Sequence, residues 1–333
     1  MAFRHLLGLQ ELPKEDIQNI LKLAVTFKDL ILKPVKKVPT LKGKTVANFF
    51  FEPSTRTKTS FEIAAKRLSA DVLNLSISTS SVVKGETLLD TLKTIEAMQV
   101  DIVVIRHSVS GVPFMLSQKI KSVVVNAGDG MHEHPTQALL DLRTILTHLR
   151  PGVSGVKPDT LAGVTVMIVG DILHSRVARS NMLLLPRVGA RVLLCGPKEL
   201  LPEQAARSGP GIEIERDFEA ALRESQAVMM LRIQEERLAG LQLDLEEYKA
   251  SYQLTGQRLA ALAPAAVVLH PGPIIRGMEI TAGVADGVQS AILEQVTNGL
   301  AIRMAVMERA LTAENGGPAD RSSPARRIKG GRA

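Results

Sequence analysis

Short, uninterrupted apolar runs alternate with helical patterns along most of this 333-residue chain, and no hairpin signal joins any two of them. The clearest runs are Thr45–Phe51, Ile102–Ile105, Ser122–Ala127, Val164–Val169, Val192–Cys195, Ala227–Leu231 and Ala266–Leu269, with weaker ones at Asp71–Leu75 and Ile212–Ile214. A half-buried strand shows a polar residue at every second position. The clear runs do not, so both faces of each strand are expected to be covered. Strands of that kind separated by helices pack as parallel sheets, which makes the fold class α/β. In such sheets the ligand lies beyond the C-terminal strand ends. The residues that follow each run therefore carry the functional reading.

The length allows two domains. Pro151–Pro158, rich in glycine and proline, interrupts the alternation and marks a linker between residues 1–150 and 151–287. Helical patterns fall at Gln10–Leu32, at Leu88–Met98, after His134, and at Val288–Leu311, which closes the fold within 288–313. Residues 314–333 read as a disordered basic tail. That tail carries +3 of the net charge of +7. The remainder is modest and shows no basic run. With 3% aromatics and no tryptophan, a nucleic-acid surface is not expected. No apolar run approaches membrane-spanning length, and Met1–His5 leads into no signal-peptide core. The single cysteine, Cys195, rules out an internal disulfide and a cysteine-cluster zinc site, and fits a reducing, cytoplasmic setting. Its place inside an apolar run suits packing.

After Thr45–Phe51, Glu52-Pro53 make a corner. Ser54-Thr55-Arg56-Thr57-Lys58-Thr59 then open a helix whose core face is Phe61, Ala64, Ala65 and Leu68. A hydroxyl of Ser54 or Thr55 is expected to cap that helix. Unbonded amides and the positive end of the helix dipole suit a dianion, and Arg56 adds a planar fork for phosphate oxygens. Taken alone, the segment also reads as an ordinary capped helix, and the G-x-x-x-x-G-K phosphate loop is absent. Arg106-His107 ends the next run, and His134-Pro135-Thr136-Gln137 opens a helix with Ala138, Leu139, Leu142, Ile145 and Leu146 on its core side. Cations and donors thus converge on one sheet edge, as a small anionic ligand requires.

His132-Glu133-His134, with His107 near by, has some look of a metal site. No third ligand is evident and H-E-x-x-H is missing, so no metal is expected. A neutral His134 donating to a substrate carbonyl accounts for the residue without one. Val164–Gly170 opens like a dinucleotide-binding unit, but the turn through Arg176 lacks G-x-G-x-x-G. An arginine in that place suits a carboxylate. Arg232 and Gln234 form a second cation–amide pair after another strand, and no G-x-S-x-G elbow is present.

Together these motifs resemble the aspartate/ornithine carbamoyltransferase superfamily from Leu7 to Leu311. Ser54–Thr57 matches its carbamoyl-phosphate signature, and Arg106-His107 and His134–Gln137 match motifs holding the carbamoyl group and phosphate. Lys84-Gly85-Glu86-Thr87 matches a mobile loop that each subunit lends to its neighbour. His270-Pro271-Gly272-Pro273, in place of His-Cys-Leu-Pro, and Arg232-x-Gln234 resemble the aspartate branch. The resemblance implies a carbamoyl-phosphate domain at 1–150, an aspartate domain at 151–287, and a final helix packing back on the first. It implies cofactor-free carbamoyl transfer to L-aspartate, in pyrimidine biosynthesis, by a cytoplasmic homotrimer with shared sites.

By the same resemblance, Ser54, Thr55, Arg56, Thr57, Arg106 and Lys84 hold the phosphate. Thr57, Arg106 and His134 polarise the carbonyl, and Gln137 with Pro271, Gly272 and Pro273 orients the carbamoyl amino group. Arg176, Arg232, Gln234 and Lys84 hold aspartate. Glycine at 272 and valine at 83 depart from the best-known bacterial form, which has leucine and lysine there. The Pro-Gly-Pro version looks like enzymes that associate with dihydroorotase. A carbamoyltransferase for another amino acid, and a noncatalytic carbamoyl-phosphate-binding paralogue, are the alternatives.

Overall fold

The computed structural model describes residues 5–76, 87–233 and 244–312. Its first part runs α1 (Lys14–Ile31), β1 (Thr45–Phe50), α2 (Thr55–Arg67), β2 (Asp71–Ser76), α3 (Leu88–Ala97) and β3 (Ile102–His107). It continues with α4 (Val112–Ser117), β4 (Val123–Asp129) and α5 (Pro135–Leu149). The second part runs β5 (Thr165–Val169), α6 (Arg176–Leu184), β6 (Arg191–Cys195), β7 (Ile212–Ile214), α7 (Phe218–Arg223) and β8 (Ala227–Met230). Then come α8 (Leu245–Tyr252), α9 (Gly256–Leu262), β9 (Val267–Leu269), α10 (Ala282–Ala285) and α11 (Ile292–Leu311).

The strands form two sheets, ordered β2-β1-β3-β4 and β7-β6-β5-β8-β9, and every pairing within them is parallel. The uninterrupted apolar runs are the cause. β4 and β5 are buried at every position, and β1, β3 and β6 at all but one or two at an end. Strand order reverses between β1 and β3 in one sheet and between β5 and β8 in the other. Crossovers leave in opposite directions at those points and open a crevice at the C-terminal strand ends. A continuous apolar core joins the two sheets through α5, α6 and α11. Helix α11 packs on α1, α5 and α2, which ties the chain's end to the first sheet.

Several elements differ from the sequence expectation for identifiable reasons. Helix α1 begins after Pro13, not at Gln10, because Pro13 sits at the cap with extended backbone. Helix α11 begins at Ile292, not Val288. The preceding residues pair with β9 instead, through Val268 N–H to Gln289 and Ala291 N–H to Val268. Helices α4, α7, α9 and α10 have four to seven residues, too few for a 3.6-residue period to stand out.

Candidate active site

The C-terminal ends of β1, β3, β5, β8 and β9 open into one cleft of ≈ 840 Å³. Ser54, Thr55, Arg56 and Thr57 reach it after β1, and Arg106 from the end of β3. His134 and Gln137 line it at the start of α5, Arg176 at α6, Arg232 after β8, and Gly272 and Pro273 after β9. Lys84 and Gln234 lie outside the described residues, as does the 314–333 tail. The residues brought together follow six strands, the four at the two switch points (β1, β3, β5 and β8) and β4 and β9.

The expected hydroxyl cap on α2 is not made. Ser54 occupies the cap position with φ −160° and ψ 85° and accepts no side-chain cap hydrogen bond. That ψ is well short of extended, which swings the hydroxyl away from the first-turn amides. Those amides have no intrahelical partner and remain for a ligand at the cleft. Arg56, on the same turn, pairs with no carboxylate among the described residues. Burial and the charge of Arg232 both lower its pKa. Gly272 permits the close approach. Its φ is +69°, and a Cβ there would lie 3.1 Å from the Arg56 Cζ. The turn's Gly272–Pro273 bond is cis, and Gly272 N–H donates to His270 Nδ1 at 2.8 Å.

His134 is buried, and its backbone N–H donates to the Ser180 hydroxyl at 2.8 Å. Burial, followed by the charges of Arg106, Arg303 and Arg176, holds its pKa well below the usual histidine value. The imidazole is therefore neutral at neutral pH and carries a single N–H donor. Its Nδ1 has no partner. Arg106 sits where the β3–β4 register shifts, between Ile105 and His107, an irregularity of the kind that re-aims a side chain.

Three residues of this site were given no functional role by the sequence reading. Glu52, read only as a corner, accepts from Arg106 Nε at 3.1 Å and from Arg176 Nη2 at 2.6 Å. One carboxylate thus bridges cations from the two sheets. Arg176 keeps Nη1 buried without a partner. Asp141, one turn beyond Gln137, accepts from the Gln137 amide at 2.9 Å. Arg303 of α11 is buried over the Phe61 ring at 5.1 Å, and burial with Arg106 pushes its pKa down to about 10. An acid directly after a strand was a usable signal for Glu52. The other two lie inside long helices, where nothing local sets them apart.

The His132–His134 trio splits three ways. His132 Nδ1 lies 3.1 Å from Asp129, Glu133 accepts from Leu9 N–H at 2.8 Å, and His134 faces the cleft. His107 Nδ1 accepts from Val109 N–H, with its ring against Phe51. Among the described residues no group of three His, Cys, Asp or Glu is placed to hold a metal. Cys195 is buried in β6 and its thiol is pushed up to about 12, as packing requires. No helix among the described residues is long and apolar enough to cross a membrane.

Comparison with known proteins identifies the family. Residues 4–147 match the family described as aspartate/ornithine carbamoyltransferase, carbamoyl-P binding domain, and residues 162–310 its Asp/Orn binding domain. The aspartate carbamoyltransferase catalytic subunit of Syntrophotalea carbinolica is 53% identical over 310 residues, covering 92% of this chain and 96% of that one. That of Syntrophobacter fumaroxidans is 50% identical over 305 residues, covering 91% and 96%. Among solved structures, Trypanosoma cruzi aspartate transcarbamoylase in complex with N-(phosphonacetyl)-L-aspartic acid superposes with a TM-score of 0.80. It is 27% identical, covering 92% of this chain and 95% of that one. The catalytic subunit of M. jannaschii aspartate transcarbamoylase gives 0.79 at 31% identity, covering 92% and 97%.

Proposed function

Because the chain belongs to the aspartate/ornithine carbamoyltransferase family, we propose that its cleft transfers the carbamoyl group of carbamoyl phosphate to the α-amine of L-aspartate. The products are N-carbamoyl-L-aspartate and phosphate, and the step serves pyrimidine biosynthesis. The observation that carries this reading is the division of cations between the two sheets. Arg56 and the open N-terminus of α2 come from the first sheet, and Arg176 and Arg232 from the second. Aspartate brings a second carboxylate to the latter pair. Ornithine would bring an ammonium group to two guanidiniums.

Carbamoyl phosphate is already activated by its leaving group, so positioning and electrostatic stabilisation suffice and no covalent nucleophile is needed. Residues 1–150 bind the dianion through Ser54, Thr55, Arg56, Thr57 and Arg106, with Lys84. Thr57, Arg106 and neutral His134 polarise the carbonyl oxygen as it gains charge. Gln137 and the Pro271–Pro273 turn accept from the carbamoyl amino group. Residues 151–287 hold the aspartate carboxylates through Arg176, Arg232 and Gln234, and the last helix ties the two parts together. The neutral amine attacks the carbonyl carbon, a tetrahedral intermediate forms, and the C–O bond to phosphate breaks. The departing phosphate takes the amine proton. Side-by-side assays with aspartate, ornithine and N-acetylornithine test the reading, and turnover is expected with aspartate alone. Preference for another acceptor overturns the aspartate half, and turnover with none overturns the enzyme.

The same reading makes the protein a cytoplasmic homotrimer, associated with dihydroorotase, in which Lys84 reaches a neighbour's cleft. Lys84→Ala and Arg56→Ala chains, each inactive alone, should regain activity when dissociated, mixed and reassembled. In a closed ring with random mixing about a quarter of the sites are then intact. No recovery despite chain exchange would place Lys84 in its own subunit's site.

A further inference from the structure

The two groups that accept from the carbamoyl nitrogen in this reading share one buried anchor. Gln137 Nε2 donates to Asp141 Oδ1 at 2.9 Å. Gln295 of α11 donates to the same oxygen at 2.7 Å. The Gln295 side-chain oxygen accepts from the backbone N–H of His270 at 2.9 Å, and His270 leads directly into the Pro271–Pro273 turn. Asn181 of α6 donates to Asp141 Oδ2 at 2.9 Å. Asp141 has no solvent exposure, and Arg303 of α11 faces it as the nearby charge.

An ionised carboxylate can only accept, so each amide must turn its NH2 group toward Asp141. For Gln137 this leaves the carbonyl oxygen as the free end of the amide, on a residue that lines the cleft. For Gln295 the orientation is fixed twice over, by Asp141 at one end and by His270 N–H at the other. One carboxylate therefore sets which way the Gln137 amide points. It also sets how far that amide stands from the turn across the cleft.

We infer that Asp141 is the positioning residue for carbamoyl recognition. It aims the Gln137 amide oxygen directly, and the Pro271–Pro273 turn through Gln295, as a matched pair of acceptors that selects an NH2 group over a methyl group. The inference rests on the reading of Gln137 and the turn given above. Acetyl phosphate is the discriminating probe, because it keeps the phosphate and carbonyl and carries CH3 in place of NH2.

Binding of carbamoyl phosphate and acetyl phosphate is measured by calorimetry for the full chain and for Asp141→Asn, Gln137→Ala and the double variant, with steady-state kinetics in parallel. An asparagine at 141 offers an NH2 group of its own and lets the Gln137 amide turn over. Asp141→Asn should therefore shrink the preference for carbamoyl over acetyl phosphate about tenfold, the size of one charge-assisted hydrogen bond. Acetyl phosphate binding should stay unchanged, and KM for carbamoyl phosphate should rise by more than kcat falls. The double variant should be no worse than Gln137→Ala alone.

Equal weakening of both phosphates, or full addition of the two effects, would mean that Asp141 only supports the fold and overturns the inference. If Gln137→Ala shrinks the preference and Asp141→Asn does not, the role of Asp141 alone fails. If Gln137→Ala leaves the preference intact, the reading of Gln137 fails and the inference falls with it. Should Asp141→Asn not fold cooperatively, Gln295→Met cuts only the branch to His270. It is expected to shrink the preference about threefold, and an unchanged preference there overturns the inference.

Discussion

Arg56 and Arg176 line the same cleft and handle their charge in opposite ways. Arg56 has no carboxylate partner among the described residues, and it shares its surroundings with Arg232, which lowers its pKa together with burial. Arg176 is nearly buried and already bonded to Glu52 at 2.6 Å, an acid it shares with Arg106. A dianion arriving at Arg56 relieves a repulsion. A carboxylate arriving at Arg176 meets a guanidinium whose Nη2 is engaged, and it gains correspondingly less. On this contrast the Arg56 end gains more from its anion than the Arg176 end does, so the dianion is expected to fill the cleft first.

Removing each end's characteristic charge should separate the two. Arg56→Ala is expected to cut kcat/KM by roughly 2–4 kcal/mol of transition-state stabilisation, the size of one lost electrostatic contact in a water-poor site. Its unfolding midpoint should hold or rise slightly, because a like-charge neighbour of Arg232 is gone. Glu52→Gln should do the reverse and lower stability by about 2 kcal/mol in urea unfolding. That is less than the roughly 3–5 kcal/mol of a fully buried pair, because these side chains keep some solvent. Swapped outcomes, with a stable Glu52→Gln and an unfolded but kinetically normal Arg56→Ala, would break the comparison.

The same contrast explains what the sequence disclosed. Ser54 to Thr57 follow β1 after a short corner, so strand, corner and helix start marked a candidate anion site within one short segment. Arg106, His134, Arg176 and Arg232 each follow a strand end, and the ligand rule for parallel sheets was enough to gather them. The apolar runs mark all nine strands found among the described residues. Glu52 was visible but not assignable, because its partners stand 54 and 124 residues away. Asp141 and Gln295 meet across 154 residues inside two helices, and no spacing rule connects them. The Ser54 cap failed for a further reason. Residue type favoured it, and the backbone at the corner turned the hydroxyl aside.

Arg232 sharpens the contrast, since the proposed reading assigns it to the acceptor end and its charge adds to burial in lowering the pKa of Arg56. Arg232→Ala should raise KM for aspartate about tenfold, the loss of one charge-assisted contact. Carbamoyl-phosphate affinity should survive, because the removed charge was repelling Arg56. Calorimetry that shows equal loss of both substrates would place Arg232 at the phosphate end.

The smallest effect is expected at Glu133, next to His134 but turned to the back of the segment. Its carboxylate accepts from Leu9 N–H at 2.8 Å and stands so close to Gly8 that a Cβ there would meet it at 2.5 Å. Burial pushes its pKa up to about 7, against the pull of the Leu9 hydrogen bond. A carboxyl whose pKa is higher folded than unfolded binds an extra proton in the folded state between the two values. Stability therefore falls as pH rises from about 4.5 through about 7 and stays at the lower level above that. The whole shift corresponds to roughly 3 kcal/mol, and relaxation with water entry reduces it to about 1 kcal/mol. Glu133→Gln keeps an oxygen for Leu9 and removes the charge. Relative to the unaltered chain it should gain about 1 kcal/mol in urea unfolding between pH 5 and pH 8, with kcat/KM unchanged. A stability difference equal at both pH values would mean that Glu133 is ionised throughout. A fall in kcat/KM would extend the phosphate end of the cleft to the back of the His134 segment, where the contrast between Arg56 and Arg176 gives it no place.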